Sequence, residues 1–267
     1  MSIYSHISQE QLKYHRKLLQ KKYRQAEHKF IIEGVHLVEE ALDSDWHVEA
    51  LLVDEEFLKK NTADNLILKA KKNNIEVFQV SEREIEKLSD AVTAQGIVGI
   101  VRMKMEMADR FWQSLQTQSV IVALDSVADP GNLGTILRTC DWFGVDGVLL
   151  SEDTVDLYNP KVLRATMGAV FHVPILTGVG LSSIVLKAQQ NGFKVLVTSA
   201  KGGIALKDLC IPDKTLLIFG NESAGVSQEL LNLADQTITI SRVGKAESLN
   251  VAVSCGIVLQ KLRNGNN

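Results

Sequence analysis

The sequence predicts an α/β protein built in two parts, on the strength of three observations. From Ser119 onward, short apolar stretches alternate with helical ones, the pattern of a mostly parallel sheet covered by helices on both faces. Ahead of Arg102 a shorter alternation of the same kind stands apart and suits a small α/β sandwich. Between them lies Met103-Lys-Met-Glu-Met-Ala-Asp-Arg110, a charged, Met-bearing stretch that reads as a linker and is equally compatible with a short helix. We therefore expect domains at 1–105 and 119–267, joined by a linker at 106–118.

From the N-terminus, the first distinctive segment is basic. Between Leu12 and Lys29 stand seven Lys or Arg (Lys13, Arg16, Lys17, Lys21, Lys22, Arg24 and Lys29) against one acid, Glu27. Tyr14, His15, Tyr23 and His28 are interleaved. Such rings can stack on unpaired bases while the cations meet phosphate, although a solvated amphipathic helix would look the same. Val35, Val38, Ala41 and Leu42 then recur at helical spacing. Val48–Val53, Ile75–Val80 and Gly96–Val101 read as strands, separated by helical segments at Ala63–Lys72 and Glu82–Leu88.

In the second part, strands are expected at Val120–Leu124, Gly147–Leu150, His172–Leu176, Lys194–Thr198, Thr215–Phe219 and Thr237–Ile240. Three of them lead into blocks rich in Gly, Asn and Ser, and then into helices. The blocks are Asp129-Pro-Gly-Asn-Leu-Gly-Thr-Ile-Leu-Arg138, Phe219-Gly-Asn-Glu-Ser-Ala-Gly-Val-Ser227 and Gly244-Lys-Ala-Glu-Ser-Leu-Asn-Val251. Such loops emerge at the carboxyl ends of strands, where open α/β sheets bind ligands. In the first block a helix from near Asn132 carries Leu133, Ile136, Leu137 and Cys140 as its apolar stripe, with Arg138 off that stripe near the face of Thr135. In the second, Gly220 ends a buried strand and lets a bulky ligand approach the backbone. Glu222 follows, ahead of a helix from near Ser227 whose dipole favours a carboxylate. In the third, Ser248 can cap the long apolar helix Leu249–Leu262.

Composition narrows the classes. Over 267 residues, 45% hydrophobic and 23% charged content are ordinary globular values. The longest apolar runs are strand-length, short of the roughly 20 residues a membrane span needs. Met1-Ser-Ile-Tyr-Ser has neither basic flank nor apolar core, so cytoplasmic residence is expected. Cys140, Cys210 and Cys255 are read as buried reduced thiols. With no CxxC, HExxH or His/Cys cluster, no metal site is expected. The net charge of −3 argues mildly against nucleic acid, but the basic segment reverses that.

The three blocks, in order and spacing, resemble the SpoU (TrmH-type) RNA ribose 2′-O-methyltransferases of the SPOUT superfamily. Asn132, Gly134 and Arg138 carry the first match, Gly220-Asn-Glu222 with Gly225 the second, and Ser248-Leu249-Asn250 the third. This covers roughly Ser119 to Arg263. A looser likeness, centred on Lys29-Phe-Ile-Ile-Glu-Gly-Val-His-Leu-Val38, is to the L30-like substrate-binding domain often fused ahead of these enzymes. The resemblance implies a C-terminal α/β trefoil-knot domain, S-adenosylmethionine as cofactor without metal, RNA as substrate and a homodimer.

It also implies a site. Arg138, Asn132, Glu222, Ser248 and Asn250 would be catalytic. Thr198, Gly220, Ile240, Ser248, Leu249 and Asn250 would bind the cofactor, with the amides of Arg242–Leu249 holding its carboxylate and adenine edge. Lys13, Arg16, Lys17, Lys21, Lys22, Arg24, Arg242 and Lys245 would meet RNA. Arg138 would hold a phosphate or the ribose, or take the 2′-hydroxyl proton. A guanidinium is normally protonated, so the last role needs burial beside positive charge, or a phosphate as the true acceptor. Glu222 would orient Arg138 or substrate hydroxyls. Ribosomal RNA is preferred to transfer RNA because the resemblance links the L30-like domain to ribosomal targets. The rivals are weaker. A dinucleotide oxidoreductase lacks its GxGxxG here, a non-catalytic ribosome-assembly factor would have lost the five polar residues, and base methylation fits the Asn132/Arg138 block less well.

Overall fold

A computed structural model gives the fold and describes residues 4–91, 93–104, 111–113 and 115–264. Positions 106–110 and 114 of the linker expected at 106–118 lie outside the described residues. Contacts divide the chain into two units, one formed by Met1–Met105 with Asp156–His172 and the other by Glu106–Val155 with Val173–Asn267.

The first unit holds strands β1 (Ser5–His6), β2 (Lys29–Glu33), β3 (Val48–Val53), β4 (Glu76–Gln79) and β5 (Ile97–Arg102), ordered β1-β4-β3-β5-β2. β5 is antiparallel to both β2 and β3, while β4 is parallel to β1 and β3. Helices α1 (Gln9–Lys17), α2 (Lys21–Glu27), α3 (Val35–Asp43), α4 (Glu55–Leu58), α5 (Asn61–Lys72) and α6 (Glu82–Leu88) surround this sheet. Two begin with capping boxes, Ser8 with Gln11 and Ser81 with Glu84, which satisfy amides the helix leaves unpaired. Leu12, Leu18, Ile31, Leu52, Phe78 and Ile100 belong to one core cluster of this unit. On α3 the buried set is Leu37, Val38, Ala41 and Leu42, with Val35 at its edge. β2 lies within the segment that carries the looser family likeness and was not anticipated as a strand.

The second unit holds β6 (Ser119–Leu124), β7 (Gly147–Ser151), β8 (Ile175–Val179), β9 (Lys194–Thr198), β10 (Ile204–Ala205), β11 (Lys214–Phe219) and β12 (Gln236–Thr239). They form one sheet ordered β10-β12-β9-β11-β6-β7-β8, parallel throughout. Helices α7 (Pro130–Trp142), α9 (Leu181–Gln190), α10 (Gln228–Leu233) and α11 (Val251–Asn264) belong to this unit, whereas α8 (Pro160–Thr166) belongs to the first. α7 carries its predicted stripe, since Leu133, Ile136, Leu137 and Cys140 are all buried, and it packs on α11. At that contact burial, followed by the hydrogen bond with Cys255, pushes the Cys140 thiol well above its ordinary value.

Three expectations need correction. The strand expected at His172–Leu176 begins at Ile175, because Ala169–Phe171 form a 3₁₀ turn capped by His172 and Pro174 has no amide to give a ladder. Cys210 is exposed, since Leu206 and Leu209 take the inward positions beside it. The last helix begins at Val251, not Leu249. No helix among the described residues is long and apolar enough to cross a membrane.

Candidate active site

The loops after β6, β11 and β12 converge through one run of hydrogen bonds. α7 starts on Asp129, whose side chain accepts from the Asn132 amide at 2.8 Å, with Pro130 in the first turn where its missing donor costs nothing. The Glu222 carboxylate reaches across from the second loop. It accepts from the Ala128 and Asp129 amides at 3.2 Å each and from Asn132 Nδ2 at 2.8 Å. Asn132 Oδ1 accepts from Asn250 Nδ2 at 2.9 Å. Asn250 Oδ1 in turn accepts from the amides of Ala252 (2.9 Å) and Val253 (3.3 Å) at the start of α11. Each of the three blocks contributes one member.

Two readings of individual residues change as a result. The cap of α11 is Asn250, because only it reaches the second and third amides of the helix; Ser248 stays in the exposed loop before it. The side chain held by Glu222 is Asn132, not Arg138. Burial raises the Glu222 pKa, but the bonds from Asn132 and the loop amides outweigh it and hold the carboxyl below its ordinary value.

The second loop closes on itself. Asn221 and Gly225 exchange backbone hydrogen bonds of 3.0 and 2.9 Å, and the Asn221 side chain accepts from the Ser223 and Ala224 amides while donating to the Ser126 carbonyl. A Cβ on Gly220 would stand 2.1 Å from the Gly225 carbonyl carbon. Gly220 is therefore required by the loop's own backbone rather than by a ligand lying against it, and any side chain there breaks the loop. Gly225 has φ +74°, where L-residues are strained. Asp125 accepts from the Ser227 amide at 2.8 Å. Asp125 and Asn221 were missed in the sequence: Asn221 carried the signal of an Asx residue placed to bond amides two and three residues on, whereas Asp125 bonds an amide 102 positions away, which no local pattern marks.

The remaining candidates sit as follows. Thr198 is half-buried at the end of β9, its hydroxyl donating to the Ile218 carbonyl at 3.1 Å, and Ile240 is half-buried after β12. Residues 241–250, including Leu249 and Lys245, are all exposed, and Arg242 donates to the Ala246 carbonyl at 3.2 Å. Among the described residues, no amide of 241–249 donates to another protein group. That row of free donors suits a ligand with a carboxylate and a purine edge. Arg138 is exposed on α7 with no hydrogen-bond or ion-pair partner among the described residues. Among those residues no group of three His, Cys, Asp or Glu could hold a metal.

In the first unit Lys13, Arg16, Lys17, Lys21 and Lys22 are exposed on α1 and α2, with Lys17 and Lys22 ammonium groups 5.5 and 5.7 Å from the Tyr23 ring centre. Arg24 does not belong with them. It is 3% exposed, donates to the Leu18 and Leu19 carbonyls at 3.0 and 2.8 Å, and pairs with Asp156. His15 is also buried, so its ring is not available for stacking, and burial lowers its pKa. The sequence pattern marked the cations but not which one the fold turns inward.

Comparison with known proteins places the sequence and the fold in a family. Residues 9–99 match the MRM3-like substrate binding domain, and residues 119–260 match the SpoU rRNA methylase family. The chain is 36% identical to the 23S rRNA (guanosine(2553)-2′-O)-methyltransferase RlmP of Bacillus subtilis, over 93% of this chain and 94% of that one. An AdoMet-bound rRNA methyltransferase from Sinorhizobium meliloti superposes with a TM-score of 0.84 at 31% identity, covering 98% of this chain and 97% of that one. An RNA 2′-O ribose methyltransferase superposes at 0.81 with 26% identity, over 96% and 95%. The protein is a member of the SpoU rRNA methylase family.

Proposed function

We propose that the protein transfers a methyl group from S-adenosylmethionine to a ribose 2′-hydroxyl of ribosomal RNA in the cytoplasm. The observation that carries the reading is the joining of all three blocks, through Glu222, Asn132 and Asn250, beside a loop whose amides are free. S-adenosylmethionine supplies an already electrophilic methyl carbon. The protein's tasks are then alignment of the ribose oxygen and removal of one proton. Thr198, Gly220, Ile240 and residues 242–249 form the cofactor's surroundings, with Gly220 acting through loop shape. Arg138, exposed and unpaired among the described residues, serves the RNA: it holds a phosphate or the reacting ribose, and a phosphate beside it can take the proton that a guanidinium cannot.

Residues 1–105 act as the substrate-binding part, 106–118 as a linker and 119–267 as the methyltransferase part, apart from Asp156–His172, which the fold groups with the first unit. Lys13, Arg16, Lys17, Lys21 and Lys22 contact phosphate in the first, Arg242 and Lys245 in the last. A homodimer through α7 and α11 completes the enzyme. Trp142 (85% exposed), Val253 (52%) and Ile257 (39%) support it, since large apolar side chains on two packed helices call for a cover. Titration of the purified protein with S-adenosylmethionine in a calorimeter, without added metal, tests the cofactor half. One site per chain is expected. No heat at millimolar ligand, weaker than about −4 kcal/mol, overturns it.

A further inference from the structure

The run Glu222–Asn132–Asn250 has a direction as well as a position. At one end stands an ionised carboxylate, which can only accept; at the other stand the Ala252 and Val253 amides, which can only donate. The two side-chain amides between them each have one accepting and one donating end. Only one orientation of each leaves every group paired: Asn132 gives Nδ2 to Glu222 and Oδ1 to Asn250, and Asn250 gives Nδ2 to Asn132 and Oδ1 to α11. Reversing either amide sets oxygen against oxygen at one contact and donor against donor at the other, the costly arrangement for polar groups.

We propose that Glu222, Asn132 and Asn250 are positioning residues forming a polarised relay, in which the Glu222 charge orients both amides and so fastens the last residue of the 241–250 loop to α7. The inference rests on the proposed function for what the loop binds, but not for the relay itself. Among the described residues, the only hydrogen bond of residues 242–249 is the internal one from Arg242 to Ala246, and Asn250 is held at one side by the Ala252, Val253 and Ser254 amides of α11 and at the other by Asn132. The loop's end at Asn250 is thus set by α11 on one side and, through Asn132, by a carboxylate in a different block on the other. In this scheme Glu222 touches neither the cofactor nor the ribose.

The relay makes a compensation test possible. Asn132→Asp removes the donor facing Glu222 and sets two carboxylates together. Adding Glu222→Gln restores a complete path: the new amide donates to the new carboxylate, which still accepts from Asn250, while the Gln oxygen accepts from a loop amide. Hydrogen exchange of the Ala252, Val253 and Ser254 amides, which bond to Asn250, reads the relay in the full-length protein without cofactor. We expect exchange to rise about tenfold or more in Asn132→Asp, as for loss of a hydrogen bond to a charged group, and to fall back toward wild type in the double variant. S-adenosylmethionine affinity should follow the same order. A double variant that exchanges as fast as Asn132→Asp, while unchanged elsewhere in the fold, overturns the relay. A wild-type protein that fails to bind S-adenosylmethionine overturns the proposed function, and the exchange series still decides the relay.

Discussion

Arg138 sits between Leu137 and Thr139 on a helix whose apolar stripe is entirely inward, so the stripe itself turns the guanidinium to solvent. Arg138→Ala should therefore leave the fold and S-adenosylmethionine affinity nearly unchanged while lowering methyl transfer by about 10²-fold or more. Single-turnover assays beside calorimetry check both halves, and a wild-type rate would remove Arg138 from the RNA side. Lys is a poor control because it lacks the planar fork. Glu222 gives a pH signature. Its folded-state value is held down, so it contributes stability that is present above the ordinary carboxylate value and lost as pH falls through the depressed one. The difference in thermal midpoint between wild type and Glu222→Gln should thus shrink on acidification. A difference constant across the acid range would contradict the assignment.

The segment Asp156–His172 belongs to the first unit although β7 and β8 flank it. Its anchor is Asp156, paired with the buried Arg24, and Tyr158 follows, its ring tilted by 35° against Phe30 at 4.6 Å between ring centres. Asp156→Ala should cost about 3–5 kcal/mol, because it leaves the Arg24 charge buried without its partner. Denaturant unfolding of the single and of Arg24→Met/Asp156→Ala measures this, and the double variant should be the more stable of the two. At this scale much was legible in advance. β3 and β9 fall on their predicted residues, as does the stripe of α7, because period and length specify a buried strand or a one-sided helix. The misses share another cause: they turn on which of several neighbours wins a long-range contact. Arg24 stands among five exposed cations and differs in meeting Asp156, 132 positions away, as well as the Leu18 and Leu19 carbonyls. Ser248 is as good a cap as Asn250 locally, yet Asn250 alone also reaches Asn132. Gly220 signals a close approach in the sequence, but not that the approaching group is the loop's own backbone at Gly225.

At the scale of the whole molecule, the chain matches a substrate-binding domain and the SpoU rRNA methylase family, and the homodimer proposed above rests on the exposed apolar residues of α7 and α11. Light scattering at micromolar concentration should return twice the mass of one chain. Mixing Arg138→Ala with a Ser248/Asn250 double variant, under conditions of proven subunit exchange, should restore part of the activity if Arg138 serves the partner's cofactor loop. Two inactive proteins that remain inactive would mean that each site is built within one chain. The central claim, methyl transfer to a ribosomal ribose, is tested most directly by incubating purified protein and methyl-labelled S-adenosylmethionine with ribosomal RNA from cells lacking the protein, then digesting to nucleosides. The account predicts label in a single 2′-O-methylated nucleoside, in a dinucleotide resistant to alkali because its 2′-oxygen is blocked. Label on a base, or none in ribosomal RNA from a preparation that binds the cofactor, would contradict it.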